Sequence, residues 1–275
     1  MIIDTHQHFW EYEPEKHAWL DDNMKKIRRD FLPEELDSVY KKNKIDGCIA
    51  VQADQTEEEN RFLVNLSEKN DFIKGIIGWV DFRSEDISDR LQQYSRLPKM
   101  KGFRHIVQGE PDPNFILGKK FFNGISALEK HDFVYEILVF PYQLGAVLEF
   151  VKKFPNQKFV IDHLAKPYIK NGYFDGWAIL MQEIAKCENV YCKISGMVTE
   201  ADYSNWSYEQ LQPYMDWVFE HFGAERLMFG SDWPVCLVAA EYEKVKNIAA
   251  TYVEKLSTAE QDQFWWRSAS EFYSL

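Results

Sequence analysis

The sequence predicts a single-domain (β/α)8 TIM barrel that spans residues 1–275. Two observations favour this fold class: short apolar runs recur along the whole chain, and segments with helical periodicity separate them. Several of these runs are continuously apolar rather than alternating, which is typical of parallel strands covered on both faces. The predicted strands are Ile2–His8, Gly47–Ala53, Gly75–Phe82, Lys101–Ile106, Phe133–Phe140, Lys158–His163, Val190–Gly196 and Arg226–Ser231.

The segments between these runs place apolar residues on one helical face. One stripe lies within Leu144–Val151, and a longer one extends over Leu211–Phe222. Pro33 stands at the predicted start of a helix, whereas Pro98 and Pro155 follow predicted helix ends. Strands that alternate with about as many helices predict a closed barrel rather than an open sheet.

Composition limits the classes of partner. The net charge of −12 repels phosphate backbones, so we expect no nucleic-acid partner. No apolar stretch approaches the ~18 residues of a membrane span, and the chain begins directly with a predicted strand. The four cysteines show no C-x-x-C spacing, which favours reduced thiols in a cytoplasmic protein over a disulfide framework or zinc cage. The expected partner is a small molecule.

The most informative motif is the His6-x-His8 pair on the first predicted strand. Side chains two residues apart leave the same face of a strand, so both imidazoles can converge on one metal ion. His163 ends the sixth strand and Asp232 follows the eighth, at the barrel end where active sites form. We therefore predict that His6, His8, His163 and Asp232 surround one divalent cation, for which Zn²⁺ is the best match. Asp232 could be a ligand, a general base, or both in turn.

His105, at the end of the fourth strand, is predicted to be catalytic together with Asp232 and His163. It could polarise a carbonyl or protonate a leaving alkoxide, and the alternative is that it only orients a neighbour. Arg104 is expected to point away from His105 and to reach the site less directly. Lys193, a charge within an apolar strand, is expected to form a structural ion pair, with substrate contact as the alternative.

The motifs at these strand ends resemble the amidohydrolase superfamily over essentially the whole chain. The resemblance is to the branch of sugar-lactone hydrolases (L-fuconolactonases, L-rhamnonolactonases) and 2-pyrone-4,6-dicarboxylate lactonases. It rests on Asp-Thr-His-Gln-His, Gly-Phe-Arg-His, Ile-Asp-His-Leu-Ala-Lys-Pro, Cys-Lys-Ile-Ser-Gly and Phe-Gly-Ser-Asp-Trp-Pro.

This resemblance implies that the protein is a hydrolase of sugar-acid lactones. His6 and His8 correspond to the family's first ligand pair, His163 to its strand-end histidine, and Asp232 to the ligand or base that closes the barrel. His105 stands where many members carry a carboxylated lysine or glutamate, which argues against a two-metal centre. Some lactonases of this branch resemble this pattern and work without a metal, in which case the imidazoles would bind the carbonyl and Asp232 would activate water directly.

A lactone substrate suggests further contacts. Arg104 or Lys166 could hold a substrate carboxylate. Aromatic residues near the predicted mouth could stack on a sugar ring or simply pack against the fold; they are Trp10, Trp19, Tyr168 and Trp233. The alternative functions are a metal-dependent decarboxylase, another amide or ester hydrolase on the same site, and a non-catalytic barrel.

Overall fold

A computed structural model describes residues 1–275 and shows one eight-stranded parallel sheet in which each strand pairs with the next along the chain. The predicted (β/α)8 barrel is confirmed. The strands are β1 (Ile3–Gln7), β2 (Gly47–Val51), β3 (Ile73–Gly78), β4 (Met100–His105), β5 (Val134–Ile137), β6 (Phe159–Ile161), β7 (Val190–Ile194) and β8 (Leu227–Phe229).

The helices lie between these strands, and three follow the last strand. Pro33 is the first residue of α1, as predicted. None of the helices is long and apolar enough to cross a membrane. They are α1 (Pro33–Asn43), α2 (Glu57–Lys69), α3 (Ile87–Tyr94), α4 (Lys119–Glu129), α5 (Leu144–Lys153), α6 (Asp175–Ala185), α7 (Met197–Glu200), α8 (Tyr208–Phe222), α9 (Tyr242–Val253), α10 (Thr258–Asp262) and α11 (Ser268–Tyr273).

The barrel closes where β1 meets the residues that follow β8. The amide of His8 donates to the carbonyl of Trp233 at 2.7 Å, and the amide of Asp232 donates to the carbonyl of His6 at 2.7 Å. A parallel bridge between Gln7 and Trp233 lies at the same place. This seam therefore sets the first-strand histidines beside Asp232, although they are more than 200 residues apart in sequence.

The barrel interior combines an apolar layer with a group of buried charged side chains. Phe272 and Tyr273 of α11 pack into the apolar layer. The apolar layer consists of Ile3, Ile49, Val51, Ile77, Val134, Val160, Met228, Ala269, Phe272 and Tyr273.

Two local irregularities shape the barrel mouth. The register of β1 against β2 shifts between Asp4 and Gln7. Asp4, before this shift, accepts hydrogen bonds from Tyr40 of α1 and Tyr242 of α9, each at 3.0 Å. The sixth and eighth strands are also shorter than predicted, so the segments that carry His163 and Asp232 leave the sheet before those residues.

Candidate active site

Asp232 lies at the centre of the site, between two imidazoles. Its carboxylate oxygen Oδ1 is 3.5 Å from His8 Nε2 and 3.9 Å from His163 Nε2. All three side chains are about 95% buried. Burial opposes the charge of Asp232, but His163 and His8 outweigh this effect and lower the pKa of its carboxyl group. The arrangement holds an ionised carboxylate where water has little access.

Hydrogen bonds behind the two imidazoles fix which nitrogen faces Asp232. His8 Nδ1 lies 2.8 Å from the Val51 carbonyl, and His163 Nδ1 lies 2.8 Å from Ser195 Oγ. A carbonyl only accepts, so His8 donates through Nδ1 and, when neutral, presents a lone pair at Nε2. That lone pair and the carboxylate of Asp232 face each other across 3.5 Å, an arrangement that suits a cation or a water molecule between them.

His6 forms the floor of the site and is held by charged groups on both sides. Arg104 Nη1 lies 3.2 Å from His6 Nε2, while Asp162 Oδ1 lies 3.3 Å from His6 Nδ1. A guanidinium only donates, so Nε2 accepts from Arg104, whereas Nδ1 faces both Asp162 and the ammonium of Lys193, which is 3.2 Å away. Burial, against the opposing effect of Asp162, lowers the pKa of His6 well below its usual range. His6 is therefore a neutral imidazole at physiological pH.

A network of buried charges supports this floor from within the barrel. Lys193 Nζ lies 2.6 Å from Glu136 Oε2 and 3.1 Å from Asp162 Oδ1. Asp162 Oδ2 in turn accepts from Arg104 Nη1 at 3.0 Å. Tyr273 of α11 donates to Glu136 Oε1 at 2.6 Å. Lys193 is thus a structural ion-pair partner, as its position in an apolar strand indicated, and it also contacts His6 Nδ1 at 3.2 Å.

Above the floor opens a cavity of about 410 Å³. Asp232, His8, His163 and Arg104 border it from below, and residues of the loops border it from the sides. Trp19, which is 43% exposed, is the indole at its rim. The remaining lining residues are Asp21, Met24, Ala53, Ile106, Gln108, Leu138, Phe140, Lys166, Thr199, Glu200, Tyr203 and Val235.

The expectation about Arg104 and His105 was wrong in its direction. Arg104 points into the barrel and borders the cavity, whereas His105 points outward into the helix layer. His105 stacks on Phe115 with ring centroids 4.9 Å apart, accepts from Trp79 Nε1 at 3.2 Å, and lies 2.7 Å from Glu110 Oε1. Successive side chains of a strand point to opposite faces, so only one of these two neighbours can point into the barrel. In β4 that residue is Arg104.

Trp10 and Trp233 also lie away from the cavity. Each is 1% exposed. Trp10 donates through Nε1 to the carbonyl of Arg29 at 2.8 Å, and both indoles pack edge-on against Phe31. Their role is packing, the alternative that sequence reasoning had left open. Tyr168 borders a second cavity of about 450 Å³, next to the first.

Sequence reasoning missed several residues of the site. Asp162 precedes His163 and accepts a hydrogen bond from Arg104, but its position at a strand end beside a histidine does not distinguish it in the sequence. A signal for Glu136 was available, because it is a carboxylate within the apolar run Val-Tyr-Glu-Ile, as Lys193 is a cation within Tyr-Cys-Lys-Ile. Glu200 and Tyr203 carry no such signal: Glu200 ends the short helix α7, and Tyr203 lies in the irregular segment that follows it.

The family description "Amidohydrolase" matches residues 3–275 of this chain. The chain belongs to the amidohydrolase family. It is 35% identical to an L-fucono-1,5-lactonase of Burkholderia multivorans, over 99% of this chain and 96% of that protein. An L-fucono-1,5-lactonase of Burkholderia ambifaria is also 35% identical, over 87% of this chain and 82% of its own. The resemblance inferred from the strand-end motifs is confirmed, and the protein is a hydrolytic enzyme.

Solved structures agree with this assignment. A crystal structure of an amidohydrolase from Burkholderia multivorans with bound zinc superposes with a TM-score of 0.96 at 35% identity, covering 100% of this chain and 99% of that one. A probable 2-pyrone-4,6-dicarboxylic acid hydrolase from Acinetobacter baumannii gives a TM-score of 0.80 at 16% identity, covering 100% of this chain and 99% of that one, which shows a shared fold.

The donor set of this amidohydrolase fits a divalent cation. His6, His8 and Asp232 each offer one ligand atom, and these atoms lie within 4.8 Å of one another. His163 stands beside this group, with its ring centroid 4.3 Å from that of His6. Because Arg104 donates to His6 Nε2, a cation that bound this nitrogen would displace that hydrogen bond.

Proposed function

We propose that this amidohydrolase hydrolyses a sugar-acid lactone of the L-fucono-1,5-lactone type to the open hydroxy acid. The observation that carries the proposal is the buried carboxylate of Asp232, held between His8 and His163 at the base of a cavity large enough for a monosaccharide. The similarity to L-fucono-1,5-lactonases over nearly the full length supports the substrate class.

The residues of the site divide the work of hydrolysis. Asp232 accepts a proton from a water molecule as the water attacks the lactone carbonyl. The guanidinium of Arg104, which borders the cavity and is fixed by Asp162 and Gln52, places positive charge toward the oxyanion that develops. His163 is kept neutral, because burial lowers its pKa to about 4. It can therefore accept a hydrogen bond from the water and help to orient it.

We further propose that His6, His8 and Asp232 bind one divalent cation, and that it is Zn²⁺, since imidazole and carboxylate are its preferred ligands. Such an ion would act as a Lewis acid toward the lactone carbonyl. Elemental analysis of the purified protein should find about one equivalent of zinc per chain, and His8→Ala should lose it. Zinc retained by His8→Ala at the wild-type level would place the ion elsewhere.

A substrate panel tests the function directly. Purified protein is assayed with a pH indicator against aldono-1,4- and 1,5-lactones, aryl esters, amides and benzoate-type acids. We expect acid release from one or more sugar lactones. Turnover of the esters, amides or benzoates alone would replace the lactone with another hydrolase or decarboxylase substrate.

The Asp232→Asn variant tests the assignment of the base. We expect kcat to fall by about 10³-fold or more while the melting temperature stays near the wild-type value. Asp71→Asn, at an exposed position after α2, is the matched control and should leave kcat unchanged. A folded Asp232→Asn protein with undiminished turnover would exclude this carboxylate as the base. The same variant separates an enzyme from a non-catalytic barrel.

The four free cysteines support a reducing, cytoplasmic location.

A further inference from the structure

Ring opening needs a proton donor, and apart from Asp232, which could return the proton that it takes from water, the residues described so far do not supply one. When the tetrahedral intermediate collapses, the ring oxygen leaves as an alkoxide, which is a poor leaving group unless it is protonated. His105 lies outside the cavity, so it cannot reach that oxygen. His163 turns Nε2 toward Asp232, 3.9 Å from Oδ1, and Nδ1 toward Ser195, and Arg104 does not give up its proton.

Lys166 is the remaining cation in the cavity wall. It ends a turn that starts at His163, in which four consecutive residues have φ between 50° and 57°. The Lys166 amide donates to the His163 carbonyl at 2.7 Å, so the turn ties the lysine to the imidazole beside Asp232. The lysine borders the same cavity as Asp232. The strained backbone is thus the element that sets the ammonium near the reacting centre.

The ammonium of Lys166 has donors to spare. Its nearest carboxylate is that of Glu200, with Nζ 3.6 Å from Oε1, and the side chains are 20% and 16% exposed. An ammonium has three N–H donors, and no side-chain hydrogen bond from Nζ shorter than 3.5 Å occupies them. No ion pair joins Lys166 to Asp232, although the charge of Lys166 is one of the effects that lower the pKa of Asp232. Both residues therefore border the same cavity without forming an ion pair with each other.

Glu200 positions the lysine. It is the last residue of α7 and also borders the cavity. Burial raises the pKa of Glu200, and the charge of Lys166 opposes that effect. A buried carboxylate is costly without a nearby cation, so the pair keeps both side chains at the cavity wall.

We propose that Lys166, held in place by Glu200, donates the proton to the ring oxygen as the lactone opens. This inference rests on the proposed lactone hydrolysis. Asp232 takes one proton from the attacking water, whose oxygen forms the new bond to the carbonyl carbon. The bond from this carbon to the ring oxygen then breaks, its electron pair stays on that oxygen, and Lys166 Nζ supplies the proton. The amine is reprotonated from solvent, and Asp232 and the product acid release their protons to solvent.

The test compares two lactones that differ in the ring atom only: an aldonolactone that the wild-type enzyme hydrolyses, and its ring-sulfur analogue. A leaving thiolate resembles that of cysteine, whose thiol has a pKa of about 8.5, so it departs without a proton donor. For Lys166→Met we expect kcat/KM to fall about 10²-fold or more with the oxygen lactone and about threefold or less with the thiolactone. Lys166→Arg should behave like Lys166→Met, because it keeps the charge but cannot donate.

Two further variants complete the design. Glu200→Gln should lower kcat about tenfold with the oxygen lactone, because the lysine loses its positioning partner. As with Lys166→Met, the loss should be smaller with the thiolactone. Lys170→Met is the matched control: Lys170 is 63% exposed and pairs with Asp202, so both rates should stay at wild-type values.

Three results would overturn the inference. Equal losses with both ring atoms would show that Lys166 only binds substrate. Full activity of Lys166→Met with the oxygen lactone would show that another group, such as Asp232, supplies the proton. Full activity of Lys166→Arg would show that charge alone suffices. In each case wild-type turnover of the lactone leaves the proposed function standing, whereas no turnover by the wild type removes both. If Lys166→Met does not fold, Lys166→Arg and Glu200→Gln decide.

Discussion

At the scale of single residues, burial and contacts with neighbouring groups set which side chains of the site are charged and which are neutral. The pKa of Asp232 is lowered in spite of burial, so its carboxylate is ionised, while burial lowers the pKa of His6 and His163 and keeps their imidazoles neutral at physiological pH. A neutral imidazole can accept a hydrogen bond or bind a cation, and an ionised carboxylate can take a proton. The resting protonation state is therefore the one that water activation requires.

This state predicts the acid limb of the pH profile. Protonation of Asp232 removes the base, and because its pKa is lowered, that loss comes at a lower pH than for an ordinary carboxyl group. We expect kcat/KM with a stable lactone to stay level from about pH 7 down to about pH 4, where an ordinary aspartate would already be half protonated, and to fall about tenfold per unit only at lower pH. Tryptophan fluorescence at each pH checks that the protein stays folded. An acid limb near pH 6.5 would instead indicate an ordinary histidine as the base.

The residues of the site were only partly predictable from the sequence. His6, His8, His163 and Asp232 gather because strand ends meet at one mouth, a property of the fold that needs no side-chain detail. Alternate side chains of β4 point into the barrel, so only one of the neighbours Arg104 and His105 can reach the site. The sequence does not determine which one, because both are polar. Asp162 could not be distinguished from an ordinary strand-end residue until its contacts with Arg104 and Lys193 were known.

At the scale of elements, the turn His163–Lys166 is the most unusual feature. Left-handed backbone costs about 1–2 kcal/mol for each residue with a Cβ, and here four such residues follow one another. Gly196 accommodates the turn from β7: a Cβ there would lie 2.6 Å from His163 Nδ1. Strain of this kind persists where surrounding packing enforces it, and it is common at functional sites.

The same strain occurs where it has no role in the site, at the end of α1. Lys44 has a φ of 57°, is exposed, and donates its amide to the Tyr40 carbonyl. Lys44→Gly should raise the free energy of unfolding by about 0.5–1 kcal/mol, because glycine adopts this conformation without a steric penalty. Ser38→Gly, within the same helix, should lower it by about 0.5 kcal/mol. Urea unfolding of both variants measures the difference, and a destabilised Lys44→Gly protein would contradict the strain argument.

The existence of the elements was easier to predict than their ends. The eight apolar runs correspond to the eight strands because continuous apolar stretches mark strands covered on both sides. The left-handed turn was not predictable, since nothing in Asp-His-Leu-Ala-Lys contains the glycine or asparagine that usually marks such a backbone. The predicted sixth strand therefore ran on to His163 instead of ending at Ile161.

At the scale of the whole molecule, the barrel interior combines the apolar layer with a network of buried ion pairs. The ion network joins Glu136 of β5, Lys193 of β7, Arg104 of β4 and Asp162 after β6. All four are at most 3% exposed. Such a network contributes fixed geometry more than net stability, because desolvation of the charges offsets much of their attraction.

Removal of one member should nevertheless be costly. Lys193→Met leaves the carboxylates of Glu136 and Asp162 buried without their shared cation, so we expect the free energy of unfolding to fall by about 3–5 kcal/mol. Lys186→Met is the control, since Lys186 is 64% exposed and pairs with Glu183 at the surface; it should cost about 0–1 kcal/mol. Chemical denaturation compares the two, and equal effects would show that the buried network is dispensable.

The seam between β1 and the segment after β8 has one more consequence. The hydrogen bonds that complete the ring are also those that bring His6 and His8 to Asp232. Partial assemblies, however well their individual strands pair, hold the carboxylate and its imidazoles apart. Catalytic competence is consequently acquired at the moment of ring closure and not gradually, so a half-finished chain carries no reactive centre.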